Sequence, residues 1–281
     1  MKADILINGV THQSVAATDR GLQYGDGIFE TILVESGNTI FLHEHLSRLR
    51  KGCEILGFPK IDMLQLTDEI NQLIENQMLG VVKVILTRGV GERGFLASPL
   101  LKVTRIVSFT QCQESVLKVN KPKVLRVCNM RLSRQPALAG IKHLNQLERV
   151  LARNEWCEKN IHEGLMLDTD GFVIEGTMSN LFIAKDDQLQ TPALNFAGVE
   201  GVMRQFLFNQ AKDQGYRVVI KELSLDDVLS ADEVFITNSL MPVWFISEIK
   251  MKQKSLRKSS GYFSNWARDE LNKEIRKQSV K

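Results

Sequence analysis

Apolar residues recur with two different periods in the N-terminal part of the chain. Runs of strand length end at Gly or Asn and contain many β-branched residues, which predicts strands in "DILING", "GIFETILVESGNTIFL", "VVKVILTRG" and "TRIVSFT". Between these runs, apolar residues recur at intervals of three and four in two stretches: Leu46, Leu49, Cys53 and Leu56, then Leu66, Ile70, Leu73 and Ile74. Each stretch predicts a helix with one apolar face, packed against the sheet.

The pattern restarts after the polar stretch "CQESVLKVNKPK". Its charges and lone proline predict a linker at 112–122 that joins an N-terminal α+β domain, 1–111, to a C-terminal domain, 123–281. In the second domain, the apolar pattern and the turn residues predict the following elements in order. They are a strand at 124–128, a helix at about 143–158, a hairpin around "DTDG", a strand "NLFIA", a turn at "KDDQ", a helix at about 201–214 and strands near 216–221, 233–237 and 243–249. A closing helix is predicted from the apolar stripe Phe263, Ala267, Leu271 and Ile275.

Composition and charge exclude several classes of function. The 281 residues are 43% hydrophobic and 25% charged, which is typical of a globular protein. Lys and Arg number 36 against 33 Asp and Glu, and the excess lies in "KMKQKSLRKSSGYF", so we expect no nucleic-acid partner. No N-terminal apolar run and no stretch of membrane-spanning length is present, which predicts a cytoplasmic protein with no membrane partner.

The cysteines and histidines do not predict a metal site. Cys53, Cys112, Cys128 and Cys157 contain no close pair, so reduced thiols are expected. The spacing of two between His43 and His45 points the two rings apart on a helix, and no third ligand falls into the pattern.

One lysine, Lys142, lies between small apolar residues and an amphipathic stretch in "ALAGIKHLNQLERV". Most lysines are solvated, and Lys142 could serve only solubility. A lysine held among apolar residues instead loses hydration, its pKa falls, and the neutral amine can form a Schiff base with a carbonyl cofactor. The stretch alone leaves both interpretations open.

Two further features extend this hypothesis. Glu175 ends the apolar strand "FVIEG", where a carboxylate is costly unless it is paired, although a surface position at a strand end would also explain it. Gly198 and Gly201 frame a helix start in "GVEGVMRQF", which predicts either an anion site for phosphate or ordinary helix capping. A lysine, an acid that keeps a pyridine ring protonated and a phosphate site are what pyridoxal phosphate requires of a protein.

Seven motifs in order along nearly the whole chain carry a family resemblance: "DRGLQYGDGIFE", "HLSRL", "RGVGERG", "IKHLNQLE", "EGTMSNLF", "GVEGVMR" and "TNSLMPV". The chain resembles the fold-type IV pyridoxal phosphate enzymes, which include branched-chain and D-amino acid aminotransferases and 4-amino-4-deoxychorismate lyases. The resemblance implies that Lys142 forms the Schiff base and that Glu175 pairs with the pyridine nitrogen. For the phosphate it implies a guanidinium, two backbone N–H groups and a hydroxyl, from Arg48, Val199, Glu200 and Ser239.

The same resemblance implies a small α/β sandwich domain beside a larger pseudobarrel domain, the cofactor between them, and a homodimer. Within the family, D-amino acid enzymes bind the substrate carboxylate with tyrosine, arginine and histidine, where this chain has Phe29, Arg93 and Phe95. Branched-chain enzymes carry a tyrosine where this chain has Leu147. With Thr31 beyond Phe29, the motifs look most like those of the lyases, and Arg93, Thr31 and Phe29 are the expected substrate contacts.

This resemblance predicts a lyase that converts 4-amino-4-deoxychorismate to 4-aminobenzoate and pyruvate in folate biosynthesis. A D-amino acid or branched-chain aminotransferase is the alternative, because "KxLN" is shared by lyases and D-amino acid enzymes. A binding module that lost the cofactor is a third interpretation, which the presence of Arg48, Lys142 and Glu175 argues against.

Overall fold

A computed structural model describes residues 4–11, 14–115, 117, 121–251, 255–259 and 261–280. The chain divides into two compact units. The first unit comprises Met1–Ser115, Ile141–Asn145 and Ile275–Lys281, and the second comprises Val116–Gly140 and Gln146–Glu274. Residues 116 and 118–120 of the predicted linker lie outside the described residues, and the predicted domain boundaries stay a prediction.

The first unit contains one antiparallel sheet in the order β1-β5-β4-β2-β3. Its elements are β1 (Asp4–Ile7), α1 (Arg20–Tyr24), β2 (Gly27–Glu35), β3 (Asn38–Thr39), α2 (Leu42–Ile55), α3 (Met63–Ile74), β4 (Leu79–Thr87) and β5 (Thr104–Gln111). The two predicted apolar stripes lie on α2 and α3, where Leu49, Cys53, Leu66 and Ile70 are buried in one core with the sheet. Burial of these stripes against the sheet supplies the main driving force for this unit.

The side chains on the two faces of strand β2 differ in burial. Ile28, Glu30 and Ile32 are buried, whereas Phe29 and Thr31 are half-buried. Successive side chains of a strand point to opposite faces, so Glu30 shares a face with two isoleucines of the core. A carboxylate among apolar side chains requires cationic partners.

The second unit is built on a mixed nine-stranded sheet, in which β14 pairs with β13 beside the path β11-β10-β9-β12-β13-β6-β7-β8. Its elements are β6 (Lys123–Leu132), α4 (Leu147–Arg153), β7 (Glu163–Asp168), β8 (Val173–Gly176), β9 (Asn180–Lys185), β10 (Gln188–Pro192), α5 (Val202–Asp213), β11 (Val218–Lys221), α6 (Leu225–Ser230), β12 (Glu233–Asn238), β13 (Met241–Lys250), β14 (Ser255–Arg257) and α7 (Tyr262–Gln278). The hairpin at "DTDG" is confirmed as the antiparallel pair β7–β8. The closing helix is confirmed as α7, with all four residues of its predicted stripe buried.

The predicted helix at about 143–158 is wrong at both ends, because α4 covers only Leu147–Arg153. Before α4 the chain runs beside β2 as an extended segment. The backbone N–H of Phe29 donates to the carbonyl of Lys142 (3.0 Å), and the N–H of Leu144 donates to a carbonyl at the start of β2 (2.9 Å). These bonds to a sheet replace the first helical turn that the amphipathic pattern predicts. Within the described ranges, no helix is both long and apolar enough to cross a membrane.

Candidate active site

Lys142 is held by its own backbone at the edge of β2. Ile141, the residue before it, is buried in the core of the first unit. The side chain of Lys142 is half-buried, and its Nζ lies 4.3 Å from the centroid of the Phe29 ring. Lys83, on the neighbouring strand β4, places a second ammonium 5.4 Å from the same centroid. The aromatic face therefore attracts two cations, one exposed and one half-buried.

The carboxylate of Glu30 holds a buried triad on the opposite face of β2. The guanidinium of Arg48 donates from Nε to Oε1 (2.7 Å) and from Nη2 to Oε2 (2.5 Å) of Glu30. Nδ1 of His45 lies 2.6 Å from the same Oε2. Helix α2 brings His45 and Arg48 onto one face because they are three residues apart.

The charges in this triad are set by burial and by the two partners. Burial alone would raise the pKa of Glu30, but the charge of Arg48 and the hydrogen bonds from His45 and Arg48 lower it to about 2. Burial lowers the pKa of His45; the hydrogen bond and the charge of Glu30 oppose this shift, and the cations Arg48 and Lys142 add to it. Ionised Glu30 can only accept, so His45 donates its Nδ1–H to it. This two-point contact fixes the plane of the Arg48 guanidinium, as recognition of a phosphate requires.

We expect Arg48→Ala to weaken binding of pyridoxal phosphate by roughly ten-fold or more, because a charge-assisted contact is worth about 1.5 to 3 kcal/mol. An equilibrium titration followed by absorbance measures the dissociation constant. Arg105→Ala is the matched control, since Arg105 also contacts a buried glutamate, Glu69, through Nε (3.0 Å) and Nη2 (2.7 Å). Equal affinities for the two variants would remove Arg48 from the phosphate site.

Glu175 is buried on β8 in the second unit, with donors at both carboxylate oxygens. Arg149 of α4 forms an ion pair with Oε1. The other oxygen, Oε2, accepts from Nδ2 of Asn180 (3.1 Å) and from the backbone N–H of Val199 (2.9 Å). All three partners donate, so the carboxylate is bonded as an acceptor throughout. Such a group can hold a proton on a pyridine nitrogen.

The predicted phosphate donors Val199 and Glu200 both use their backbone N–H groups elsewhere. The N–H of Val199 donates to Glu175, and the N–H of Glu200 donates to the carbonyl of Gly140 (3.0 Å). The role of these two N–H groups at a phosphate stays a prediction, and the first turn of α5 offers further candidate donors at Val202 and Met203. In the part of the chain that the structure describes, their N–H groups have no hydrogen-bonded acceptor, as is normal for the start of a helix.

Gly201, the N-cap of α5, leaves this helix start open. It contributes no side-chain capping bond, and a Cβ placed there would lie 1.8 Å from Oδ1 of Asn180. A side chain at this position would displace Asn180, which is hydrogen-bonded to Glu175. The N–H groups and the positive end of the helix dipole are then available to an anion, so this part of the chain fits a phosphate group.

The remaining predicted residues lie on loops or on the outer face of β2. Ser239 is half-buried in the turn between β12 and β13, which Asn238 shapes by accepting from the backbone N–H of Leu240 (2.8 Å) and Met241 (2.7 Å). Arg93 is exposed in the loop after β4. Phe29 and Thr31 share one face of β2, and Phe29 contacts the Lys142 ammonium.

Sequence reasoning missed the residues that hold the candidate groups in place. Arg149 and Asn180 secure Glu175, and Glu30 and His45 secure Arg48. A signal existed for Glu30, because a carboxylate between two isoleucines in a strand requires a partner. Arg149 carried no such signal, since an arginine in the first turn of an amphipathic helix is ordinary.

A half-buried lysine, a buried glutamate that accepts from three donors and a helix start with unsatisfied N–H groups are each of the kind that pyridoxal phosphate requires of a protein. The chain belongs to the amino-transferase class IV family, whose profile matches residues 27–249. The sequence predictions of an α+β fold of type IV and of pyridoxal phosphate as the cofactor are confirmed.

Three relatives show where the chain falls within the family. It is 34% identical over 252 residues to an aminodeoxychorismate lyase of Vibrio harveyi, covering 89% of this chain and 93% of that protein. It is 36% identical to a solved 4-amino-4-deoxychorismate lyase of Pseudomonas aeruginosa, with a TM-score of 0.89 and coverage of 96% of this chain and 99% of that one. It is also 32% identical over 239 residues to a putative branched-chain-amino-acid aminotransferase of Methanocaldococcus jannaschii, covering 84% and 82%.

Proposed function

We propose that this enzyme is an aminodeoxychorismate lyase, which converts 4-amino-4-deoxychorismate to 4-aminobenzoate and pyruvate. The observation that carries the proposal is similarity to such lyases over nearly the whole length of the chain, at 34% and 36% identity. The side chains at two candidate substrate positions support it. Phe29 and Phe95 provide aromatic faces, where an α-amino acid carboxylate would need hydrogen-bond donors, and a ring substrate can pack on such faces.

Each candidate side chain has one task toward the cofactor. When bound, pyridoxal phosphate supplies an electron sink conjugated to the substrate amine. Lys142 provides the amine that binds the cofactor covalently, and Glu175 holds the proton on its ring nitrogen. Arg48, the N–H groups of Val202 and Met203 and the hydroxyl of Ser239 bind the phosphate.

Lys142 then moves one proton. With the cofactor bound, the Nζ of Lys142 would take the proton from the substrate ring carbon that bears the nitrogen. The bond between the ring and the enolpyruvyl oxygen breaks, the ring becomes aromatic, and Nζ returns the proton to the leaving group, which becomes pyruvate. Aromatisation makes elimination favourable, so transfer of the amine is not required. Arg93 binds a carboxylate of the substrate.

We further propose that the enzyme works in folate biosynthesis in the cytoplasm, as a homodimer. The apolar surface of α4 supports the dimer. Leu147, Val150 and Leu151 are exposed to 75%, 50% and 56% of their surface, on a helix that begins five residues after Lys142. Large apolar side chains grouped on one helix are typical of a surface that is covered in an assembly.

A side-by-side assay tests the lyase against the aminotransferase alternative, which the similarity to the branched-chain enzyme favours. One reaction contains aminodeoxychorismate and is followed by 4-aminobenzoate fluorescence. Two others contain D-alanine or leucine with 2-oxoglutarate and are followed by glutamate formation. We expect fluorescence to rise well above the uncatalysed rate, with glutamate formation slower by orders of magnitude, because missing carboxylate donors cost several kcal/mol (about 1–3 kcal/mol each). Fast glutamate formation without 4-aminobenzoate would make the protein an aminotransferase.

A further inference from the structure

The loop that carries Arg93 is fastened to α1 by a buried arginine. Arg20 is 4% exposed, and its guanidinium donates from Nη1 to the carbonyl of Gly94 and from Nη2 to the carbonyl of Phe95, both at 2.8 Å. Its Nε donates to Oδ2 of Asp26 (2.9 Å), which fixes the plane of the guanidinium. One side chain thus uses all three of its nitrogens, two of them on the backbone of a loop.

Arg20 also holds the loop on the other side of Arg93. The backbone N–H of Arg20 donates to the carbonyl of Gly89 (2.9 Å). Gly91 lies against the aliphatic part of the Arg20 side chain. A Cβ at this position would lie only 3.0 Å from Cδ of Arg20. The backbone is therefore held before Arg93 at Gly89 and Gly91 and directly after it at Gly94, which leaves little freedom to Arg93 between them.

Tyr24, at the end of α1, adds two contacts to the same loop. Its hydroxyl accepts from the backbone N–H of Gly94 (3.1 Å), and its ring lies 5.4 Å from the ring of Phe95. Arg20 lies over the ring of Tyr24, with its guanidinium carbon 5.0 Å from the centroid. Gly94 is thus bonded at its N–H by one residue and at its carbonyl by the other.

The side chain of Arg93 projects from this fastened backbone. It is exposed, and among the described residues it forms no ion pair and no hydrogen bond. We propose that Arg20, together with Tyr24, is a positioning residue that presents the Arg93 guanidinium to a carboxylate of the substrate. The inference deepens the proposed function and rests on Arg93 as the carboxylate ligand. A backbone fixed in advance lowers the entropy cost of binding at Arg93.

Arg88 provides a control of the same chemistry. Its Nε also donates to Oδ2 of Asp26 (2.8 Å). Its Nη1 and Nη2 also donate to two consecutive carbonyls, those of Gly57 (2.8 Å) and Leu56 (2.7 Å), which follow α2. Loss of the two Nη hydrogen bonds from either arginine removes equivalent contacts to backbone carbonyls. Of the two arginines, Arg20 is the one that bonds to the two residues after Arg93.

The test compares Arg20→Lys, Arg88→Lys and Tyr24→Phe in the enzyme loaded with its cofactor. Lysine keeps the positive charge beside Asp26 but cannot form the paired hydrogen bonds of a guanidinium to two carbonyls. Tyr24→Phe removes the hydroxyl that accepts from the N–H of Gly94 and keeps the aromatic ring. Hydrogen exchange of the backbone at 90–96, followed by mass spectrometry, reports the loop independently of any activity. Steady-state kinetics with aminodeoxychorismate report KM and kcat, and each variant is also made with Arg93→Ala.

We expect faster exchange at 90–96 in Arg20→Lys and Tyr24→Phe but not in Arg88→Lys. KM should rise by about ten-fold in Arg20→Lys, with kcat changed less than two-fold, as for loss of one charge-assisted contact in binding. In the Arg93→Ala background the KM effect of Arg20→Lys should vanish. Unchanged exchange in both Arg20→Lys and Tyr24→Phe, a KM effect equal to that of Arg88→Lys, or a KM effect that persists without Arg93 would each overturn the proposal.

Failure of the proposed function gives a different result. If the unchanged enzyme does not turn over aminodeoxychorismate, the same kinetics are measured with D-alanine or leucine, on the proposal that their carboxylates bind the same guanidinium. A KM effect of Arg20→Lys that depends on Arg93 would then support the positioning role for a different substrate. No KM effect with any of these substrates, together with faster exchange, would show that the fastened loop is structural only and overturn the inference.

Discussion

Replacing Lys142 by alanine is expected to lower turnover by about 10³-fold or more, since the same Nζ is assigned both the covalent attachment and the proton transfer. Lys83→Ala is the matched control, because its ammonium lies over the same Phe29 ring at 5.4 Å, against 4.3 Å for Lys142. Lys83 is exposed on the neighbouring strand and has no assigned role in the chemistry. We expect its loss to leave turnover within a few-fold of the unchanged enzyme.

A chemical label separates the two lysines without any assay of activity. Reduction of the holoenzyme with borohydride, followed by peptide mapping, should place the pyridoxyl mass on Lys142 and on no other lysine. The near-visible absorption band of the bound cofactor should be lost in Lys142→Ala and retained in Lys83→Ala. A pyridoxyl mass on Lys83, or an intact band in Lys142→Ala, would exclude the assignment.

The second large effect is expected for Glu175→Gln, with turnover lowered by about 100-fold or more while part of the cofactor stays bound. A neutral amide cannot keep the pyridine nitrogen protonated as firmly as a carboxylate does. It also disturbs the protein around it, because both oxygens of Glu175 accept from donors and an amide NH₂ would face one of them. Turnover and the dissociation constant of the cofactor, measured together, separate these two consequences.

Asp168→Asn is the control for loss of a buried carboxylate. Asp168 ends β7, is 1% exposed, and accepts from Nη1 of Arg134 at 2.7 Å, much as Glu175 pairs with Arg149. We expect Asp168→Asn to lower the melting temperature and to keep most of the turnover. Near-normal turnover in Glu175→Gln would remove Glu175 from the ring nitrogen.

Hydrophobic periodicity was sufficient to predict secondary structure where the local pattern and its tertiary environment agree. The apolar stripes of α2, α3 and α7 are buried as predicted, because an amphipathic face can be satisfied only against a core. It failed at 143–146, where the pattern continues into a helix but the backbone bonds to β2 instead. Pairing with a strand distant in sequence leaves no trace in a local period.

The candidate site shows the same division. Lys142, Glu175 and the start of α5 are candidates because the family motifs carry them, and their roles stay predictions. The sequence did not reveal that the N–H groups of Val199 and Glu200 donate to Glu175 and to the carbonyl of Gly140. Which N–H of a glycine-framed turn stays unsatisfied depends on acceptors far away in sequence.

The sequence by itself determined the class of fold and the family, and it supplied the candidate residues for the chemistry, because these follow from local period and from motifs that stand in order. Only the tertiary structure decided which partners bind those residues. Glu30 binds Arg48, Arg149 binds Glu175, and Arg20 binds the backbone of the loop that carries Arg93. These contacts join residues 18, 26 and 74 positions apart, and their geometry depends on packing between whole elements. Long-range packing selects one partner among many polar residues of the right type, and no local pattern in the chain contains that choice.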